Sequence, residues 1–300
     1  MNVTQTKGIV LAGGTGSRMF PITKGTIKQL LHLYNKPMVY YPIATLIEAG
    51  VKDILIITRP QDQDQFINLL GNGSDLGINF QFAVQPEPKG LAQAFTIAYE
   101  CGFLGNSPTC MVLGDNIFHG EGFKRELKMA VNNRNPTIFG YLVSDQTSYG
   151  VVQIDPKTQL ALSIEEKPKQ NKENGYAVPG VYLFPPGVDT VAQNVTPSAR
   201  GEVEITSVIE YYLKQNSLNV KLMLDDVWLD TGTFDSMSDA SEYVRVVEKR
   251  TGRLIGSIEV AALNAGFMSV EQFKQKINDY LKSGYGKALA RELELYTLNI

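Results

Sequence analysis

Apolar runs of strand length alternate with helix-patterned stretches from the N-terminus to Gly114, and this alternation restricts the fold more than any other property of the chain. Gly8–Ala12, Asp53–Thr58, Asn79–Val84 and Cys110–Gly114 have the length and apolar content of buried strands. Tyr41–Ala49, Gln61–Leu70 and Leu91–Glu100 between them carry helical spacing. Parallel strands need crossover connections, so the pattern predicts an α/β, Rossmann-like fold: a mostly parallel mixed sheet covered by helices. From about residue 137 short strands take over, at Thr137–Val143, Gly150–Ile154, Leu160–Glu166 and Ala177–Phe184. They predict a β-rich insert folded over the first half as the second wall of a cleft. After Thr231 the chain turns helical, with Phe234–Lys249, Ser269–Leu281 and Tyr285–Tyr296 forming a C-terminal helical appendage. The expected division is a core over residues 1–235, split near residue 136, and an appendage over 236–300.

The first predicted strand runs into an unusual loop, in the segment GIVLAGGTGSRMFPITKGTIKQ that spans residues 8–29. Gly13, Gly14 and Gly16 leave backbone N–H groups unshielded where the chain turns, which suits an anion, and Arg18 and Lys28 add side-chain cations. A plain tight turn is the competing reading; the two cations favour phosphate. The loop is neither of two common phosphate motifs, because Met19 stands where the dinucleotide fingerprint needs its third glycine and no GK[ST] follows. Ligands of open α/β sheets bind beyond the carboxyl ends of the strands, so the glycine loop, the Gln85–Gly90 segment and Asp115 are expected on one rim.

Carboxylates end two apolar runs. Asp115 follows Val112-Leu113-Gly114, and Asp230 follows Trp228-Leu229. As a pair they suit Mg²⁺, which takes one or two carboxylates together with substrate phosphates; each also suits an ordinary turn or helix cap. Glu165-Glu166-Lys167 before Pro168 reads either as a surface ion pair or as a sugar and phosphate contact. Arg200 either binds an anion or caps a neighbouring helix. Tyr149 and Trp228 are packing residues or the wall of a sugar site. His32 and His119 show no relay or zinc pattern, and Cys101 and Cys110 are too far apart for a CxxC site, so both are expected as reduced core thiols.

Charge narrows the partners. The 31 acidic and 28 basic side chains leave a net −3, which offers no basic surface for nucleic acid or an anionic membrane. No run approaches the roughly 18 apolar residues of a spanning helix, and the first ten residues lack a signal-peptide core, so a cytoplasmic address is expected.

LAGGTGSR, KQLL, KPMVYYPI, VQPEPKGLAQAF, VLGDNIF, YGVV, IEEKP, RGEVEIT and WLDTGT follow in one order between residues 8 and 233. Together they closely resemble the glucose-1-phosphate thymidylyltransferases of the sugar nucleotidyltransferase family. The resemblance implies the reaction of dTTP with glucose 1-phosphate to dTDP-glucose and pyrophosphate, with Mg²⁺ as cofactor and a homotetramer as assembly. It implies nucleotide contacts at Leu11, Gly13, Gly14, Gly16, Gln29, Gln85 and Gly90, and metal ligands at Asp115 and Asp230. Around the hexose phosphate it implies Tyr149, Gly150, Glu166, Lys167, Arg200 and Trp228, with Arg18, Lys28 and Lys167 as the catalytic cations. The two substrates together bring a charge of about −5 to −6, which one Mg²⁺ with Arg18, Lys28, Lys167 and Arg200 would offset. In-line attack on the α-phosphorus needs no covalent enzyme nucleophile, consistent with the lack of a Ser or Cys constellation.

The chain departs from the family pattern at Ile27, Pro179 and Ser207 without losing a charged site residue. It also departs at Leu224-Asp225-Asp226 and, lacking arginine, over Ser257–Phe267, which belong to the family's secondary nucleotide-sugar site, so the resemblance leaves feedback inhibition by a downstream dTDP-sugar open. The alternatives are the same chemistry with UTP or another hexose 1-phosphate, and a non-catalytic nucleotide-sugar regulator. Met19 disfavours an NAD-dependent oxidoreductase.

Overall fold

A computed structural model describes residues 5–198 and 201–298. The first half contains β1 (Lys7–Ala12), β2 (His32–Leu33), β3 (Lys36–Pro37), α1 (Tyr40–Glu48), β4 (Asp53–Thr58), α2 (Gln63–Leu70), β5 (Asn79–Val84), α3 (Gln93–Glu100) and β6 (Thr109–Leu113). There follow β7 (Asn116–His119), α4 (Glu121–Asn133), β8 (Thr137–Tyr141), β9 (Gly150–Ile154), β10 (Ala161–Glu166), β11 (Gly175–Ala177), β12 (Val181–Phe184), α5 (Val188–Asn194), α6 (Ile205–Lys214), β13 (Asn219–Met223) and β14 (Val227–Asp230). Four helices close the chain: α7 (Phe234–Thr251), α8 (Ile258–Asn264), α9 (Val270–Tyr280) and α10 (Gly284–Thr297).

The α/β fold expected from the alternation is the observed one. Among the described residues the main sheet has ten strands in the order β10-β9-β11-β8-β12-β6-β1-β4-β5, with β13 pairing β8 off that path. Strands β6, β1, β4 and β5 are parallel neighbours, and their residues are almost continuously apolar because helices cover both faces. One layer packs Ile43, Ala44 and Ile47 of α1 against the sheet; the other packs Ala94, Phe95 and Ala98 of α3.

The strands after residue 137 do not lie over the first half. They continue its sheet, joined through β12, which pairs antiparallel with β6 and with β8. All four residues of β12 are buried, so this strand suits the middle of a sheet and not the edge of a separate layer. The single strand expected over Ala177–Phe184 is broken at 178–180. Pro179 has no N–H for a ladder, and the Gly180 N–H turns away to the Asn116 side-chain oxygen at 3.2 Å.

The C-terminal helices begin where their caps dictate. Thr233 and Ser236 form a capping box at the start of α7, and Ser269 and Gln272 form one at α9. Ile258, Leu263, Phe273 and Leu289 join the same core cluster as α1, so α8, α9 and α10 extend the helical layer that α1 begins. The expected thiol placement holds for Cys110, which is buried and whose pKa burial pushes up to about 12. Cys101 departs from it: it is exposed at the end of α3, where the helix has already left the core.

Candidate active site

The glycine loop owes its shape to two left-handed glycines, Gly14 at φ 85° and Gly16 at φ 61°. Thr23 clamps it by donating its hydroxyl to the Gly16 carbonyl at 2.7 Å. Beyond the loop, one short helical turn carries Arg18 with Met19 buried beneath it, and another presents Lys28 and Gln29, each under a tenth exposed. A cavity of about 240 Å³ is lined by Gly13, Gly14, Gly16, Arg18, Lys28, Gln29 and Asp115. Backbone N–H groups and two cations thus face one space, an arrangement suited to a polyphosphate.

A second cavity, of about 260 Å³, opens beside it with Leu11, Gly13, Gly14, Gln29, Gln85 and Gly90 in its walls. It is the more apolar of the two, as a planar base requires. Gly90 adopts φ 108°, and a Cβ there would lie 2.4 Å from the Val203 carbonyl oxygen. Only glycine fits. The Gln29 side-chain oxygen is buried without a hydrogen-bond partner, so this wall offers an unused acceptor.

The third cavity, of about 340 Å³, holds Tyr149, Gly150, Glu166, Lys167 and Trp228 together with Asp115, Asp230 and Arg18. Strand pairing explains the assembly: Gly150 of β9 lies directly opposite Glu166 of β10, and the Lys167 N–H donates to the Tyr149 carbonyl at 2.9 Å. Lys167 itself sits at φ 47°, a turn that throws its side chain off the strand end. Glu166 lies 3.6 Å from the Lys167 ammonium. Arg200, expected in the same wall, lies outside the described residues.

Asp115 and Asp230 are neighbours. In the antiparallel pair of β7 and β14, Asp230 faces Asn116, the residue after Asp115. The buried Thr231 hydroxyl donates to the Asp115 carbonyl at 2.9 Å and ties the two strand ends together. The Asp115 carboxylate accepts from Lys28 at 2.6 Å and from the Asn116 amide at 2.9 Å. That of Asp230 accepts from the Tyr149 hydroxyl at 2.8 Å and the Gly232 N–H at 3.0 Å. Burial, and then the Asp230 carboxylate that accepts its proton, hold the Tyr149 hydroxyl well above the ordinary phenol range. It therefore remains a donor at neutral pH.

Some site residues escaped the sequence reading. The Asn116 oxygen accepts from the Trp228 indole N–H at 2.6 Å and from Gly180, and its nitrogen donates to Asp115, so one buried amide ties the Asp115 and Trp228 sides together. Trp228 packs edge-on against Tyr149 at 5.2 Å, which makes it support as well as wall. Leu113, Tyr182, Glu202, Glu204 and Thr206 also line the third cavity. Only Asn116 carried a usable signal, its place beside Asp115 at a strand end. His119 bonds the Tyr243 hydroxyl at 2.6 Å away from the three cavities, in keeping with its lack of a relay pattern.

A parallel sheet with a glycine-rich loop at its carboxyl edge, and cavities that meet at Asp115, is an arrangement suited to a nucleotide-handling transferase. The family model described as nucleotidyl transferase matches residues 7–246, and the chain belongs to that family. Glucose-1-phosphate thymidylyltransferase of Mycolicibacterium smegmatis is 47% identical over 289 residues, covering 96% of this chain and 99% of the relative. That of Neisseria gonorrhoeae is 45% identical over 285 residues, with 94% and 98% covered. Within the nucleotidyl transferases the chain therefore belongs with the glucose-1-phosphate thymidylyltransferases. Among solved structures, UDP-glucose pyrophosphorylase complexed with UDP-glucose superposes with a TM-score of 0.71 at 21% identity, covering 81% of this chain and 99% of that one; this likeness shows the fold.

Proposed function

We propose that this chain makes dTDP-glucose and pyrophosphate from dTTP and glucose 1-phosphate. One observation carries the reading: Asp115 lines all three cavities, so the places suited to base, triphosphate and sugar phosphate meet at a single carboxylate. The curated relatives named for this activity match the chain nearly end to end. A sugar-phosphate oxygen attacks the α-phosphorus, a new P–O bond forms, and the bond to the β-phosphate oxygen breaks with pyrophosphate carrying away the electron pair. No covalent enzyme intermediate is needed; positioning and charge neutralisation perform the catalysis.

Leu11, Gly13, Gly14, Gln29, Gln85 and Gly90 hold the nucleoside, and Gly16, Arg18 and Lys28 hold the phosphates. Tyr149, Gly150, Glu166, Arg200 and Trp228 orient the hexose, and Lys167 neutralises its phosphate. Lys28 lies against Asp115 at 2.6 Å, so incoming phosphate oxygens compete with that carboxylate for the ammonium.

Asp115 and Asp230 fit Mg²⁺. They offer hard carboxylate oxygens at neighbouring strand ends, each oxygen retaining lone pairs beyond its present hydrogen bonds. Two carboxylates are a fitting number for a cation that completes its shell with phosphates and water. When bound it would neutralise developing phosphate charge.

The remaining expectations are a homotetramer, a cytoplasmic address, and a catalytic core over 1–235 followed by the helices of 236–300. Among the described residues no helix is long and apolar enough to cross a membrane.

Pyrophosphate release over a panel of nucleoside triphosphates and sugar 1-phosphates tests the function. Fastest release with dTTP and glucose 1-phosphate, and none without a divalent cation, is expected. Tight binding without release would make the chain a nucleotide-sugar regulator instead.

A further inference from the structure

The Gln85 carboxamide is held at both of its hydrogens. Its nitrogen donates to the Gly90 carbonyl at 3.2 Å and to the Gln93 side-chain oxygen at 2.8 Å. Both acceptors belong to the protein, so the amide nitrogen is spent before any ligand enters. The Gln85 oxygen is left pointing at Gly13, where an added Cβ would sit 2.7 Å from it, on the wall of the cavity read above as the base site.

An amide can rotate by half a turn, and what prevents it here is the identity of its neighbours. Rotated, Gln85 would aim its oxygen at two acceptors, the Gly90 carbonyl and the Gln93 oxygen. Gln93 is in turn unable to offer its nitrogen, because its oxygen also accepts the Lys89 N–H at 3.3 Å. The backbone of Lys89 fixes Gln93, and Gln93 fixes Gln85. Gln93 is the first residue of α3 and only half-buried, so it lies in neither the apolar core nor the base cavity.

We infer that Gln93 is a positioning residue for base recognition: it locks the Gln85 carboxamide with its acceptor oxygen toward the base, so the site selects a pyrimidine edge that donates an imino N–H. Thymine and uracil carry that N–H at N3. Cytosine carries a lone pair there and would meet the Gln85 oxygen acceptor to acceptor, an unpaired contact in a buried site. The lock separates dTTP and UTP from dCTP and does not separate the first two from each other. This inference rests on the assignment of the second cavity to the base.

Full-length wild type, Gln93→Met and Gln93→Glu are compared with dTTP, UTP and dCTP, by product formation with glucose 1-phosphate and separately by calorimetric binding. Methionine keeps the length and removes the acceptor; glutamate keeps the acceptor. Gln93→Met is expected to narrow the dTTP to dCTP preference by about tenfold in both readouts, mainly through weaker dTTP binding, with UTP falling alongside dTTP. Gln93→Glu is expected to hold the wild-type preference. A preference unchanged within about twofold in Gln93→Met, or lost equally in Gln93→Glu, overturns the lock. Should the wild type make no nucleotide sugar while Gln93→Met still narrows the binding preference, the proposed reaction fails and the lock stands.

Discussion

Lys28 and Asp115 lie 87 positions apart in sequence and meet at 2.6 Å where the glycine loop and its cavity join the second and third cavities. Strand β1 delivers the first through its following loop and β6 delivers the second, and the two strands are direct parallel neighbours. Juxtaposition of these charges is thus a consequence of strand order.

Asp230→Asn keeps one oxygen to accept the Gly232 N–H and puts an NH2 against the Tyr149 hydroxyl, which can accept from it, but loses the charge that a cation needs. Turnover at saturating substrate is expected to fall by about a hundredfold or more, with the melting temperature within about 3 °C of wild type. Wild-type rates in this variant would remove Asp230 from the metal site.

Lys167 lines the third cavity, its side chain about half exposed, 47%. Lys167→Ala is expected to raise KM for glucose 1-phosphate about tenfold while KM for dTTP changes less than about twofold. Equal effects on both substrates would contradict the side of the site given to this lysine.

Gly90→Ala places a methyl group 2.4 Å from the Val203 carbonyl oxygen at a backbone angle that alanine resists. A loss of about 2–4 kcal/mol in urea unfolding is expected, together with weaker dTTP binding, because the same carbonyl of Gly90 holds Gln85. A stability equal to wild type would mean that the 86–90 turn yields freely.

Glu259 is 1% exposed, and burial raises its pKa above the usual carboxylate range. Its neighbours are Tyr285 of α10, Ser257, Lys276 and Tyr280 of α9, and Lys36 and Tyr40 near α1. With the folded pKa above the unfolded one, the native state binds the extra proton, so the contribution is favourable at low pH and is lost as pH rises through the folded value. Glu259→Gln is therefore expected to be more stable than wild type near pH 8, with the gap closing toward pH 4.5. Urea unfolding across that range decides it; a gap that widens on acidification would reverse the sign.

Much of this site was legible because its parts are local. A glycine run after an apolar strand, or an aspartate after another, is written in a handful of consecutive residues. The strands Asp53–Thr58, Asn79–Val84 and Gly150–Ile154 fall where the pattern put them, since β-runs bounded by turns have clear ends. Helix α4 went unread although Phe123, Leu127, Ala130 and Val131 repeat at helical spacing, because polar residues dominate its other face. Helices α5 and α8 went unread too, each spanning only seven residues. The break at Pro179-Gly180 was masked by the apolar residues on either side.

By itself the sequence determined the alternating elements, the glycine loop and the chemical types available to the site, since propensity, periodicity and charge are properties of neighbouring residues. Tertiary structure alone decided that Asp230 stands beside Asp115, that Asn116 holds Trp228, and that Gln93 turns the Gln85 amide. Those relations depend on strand order and register, and register is fixed by the burial of whole faces across the sheet, which no short stretch of chain encodes.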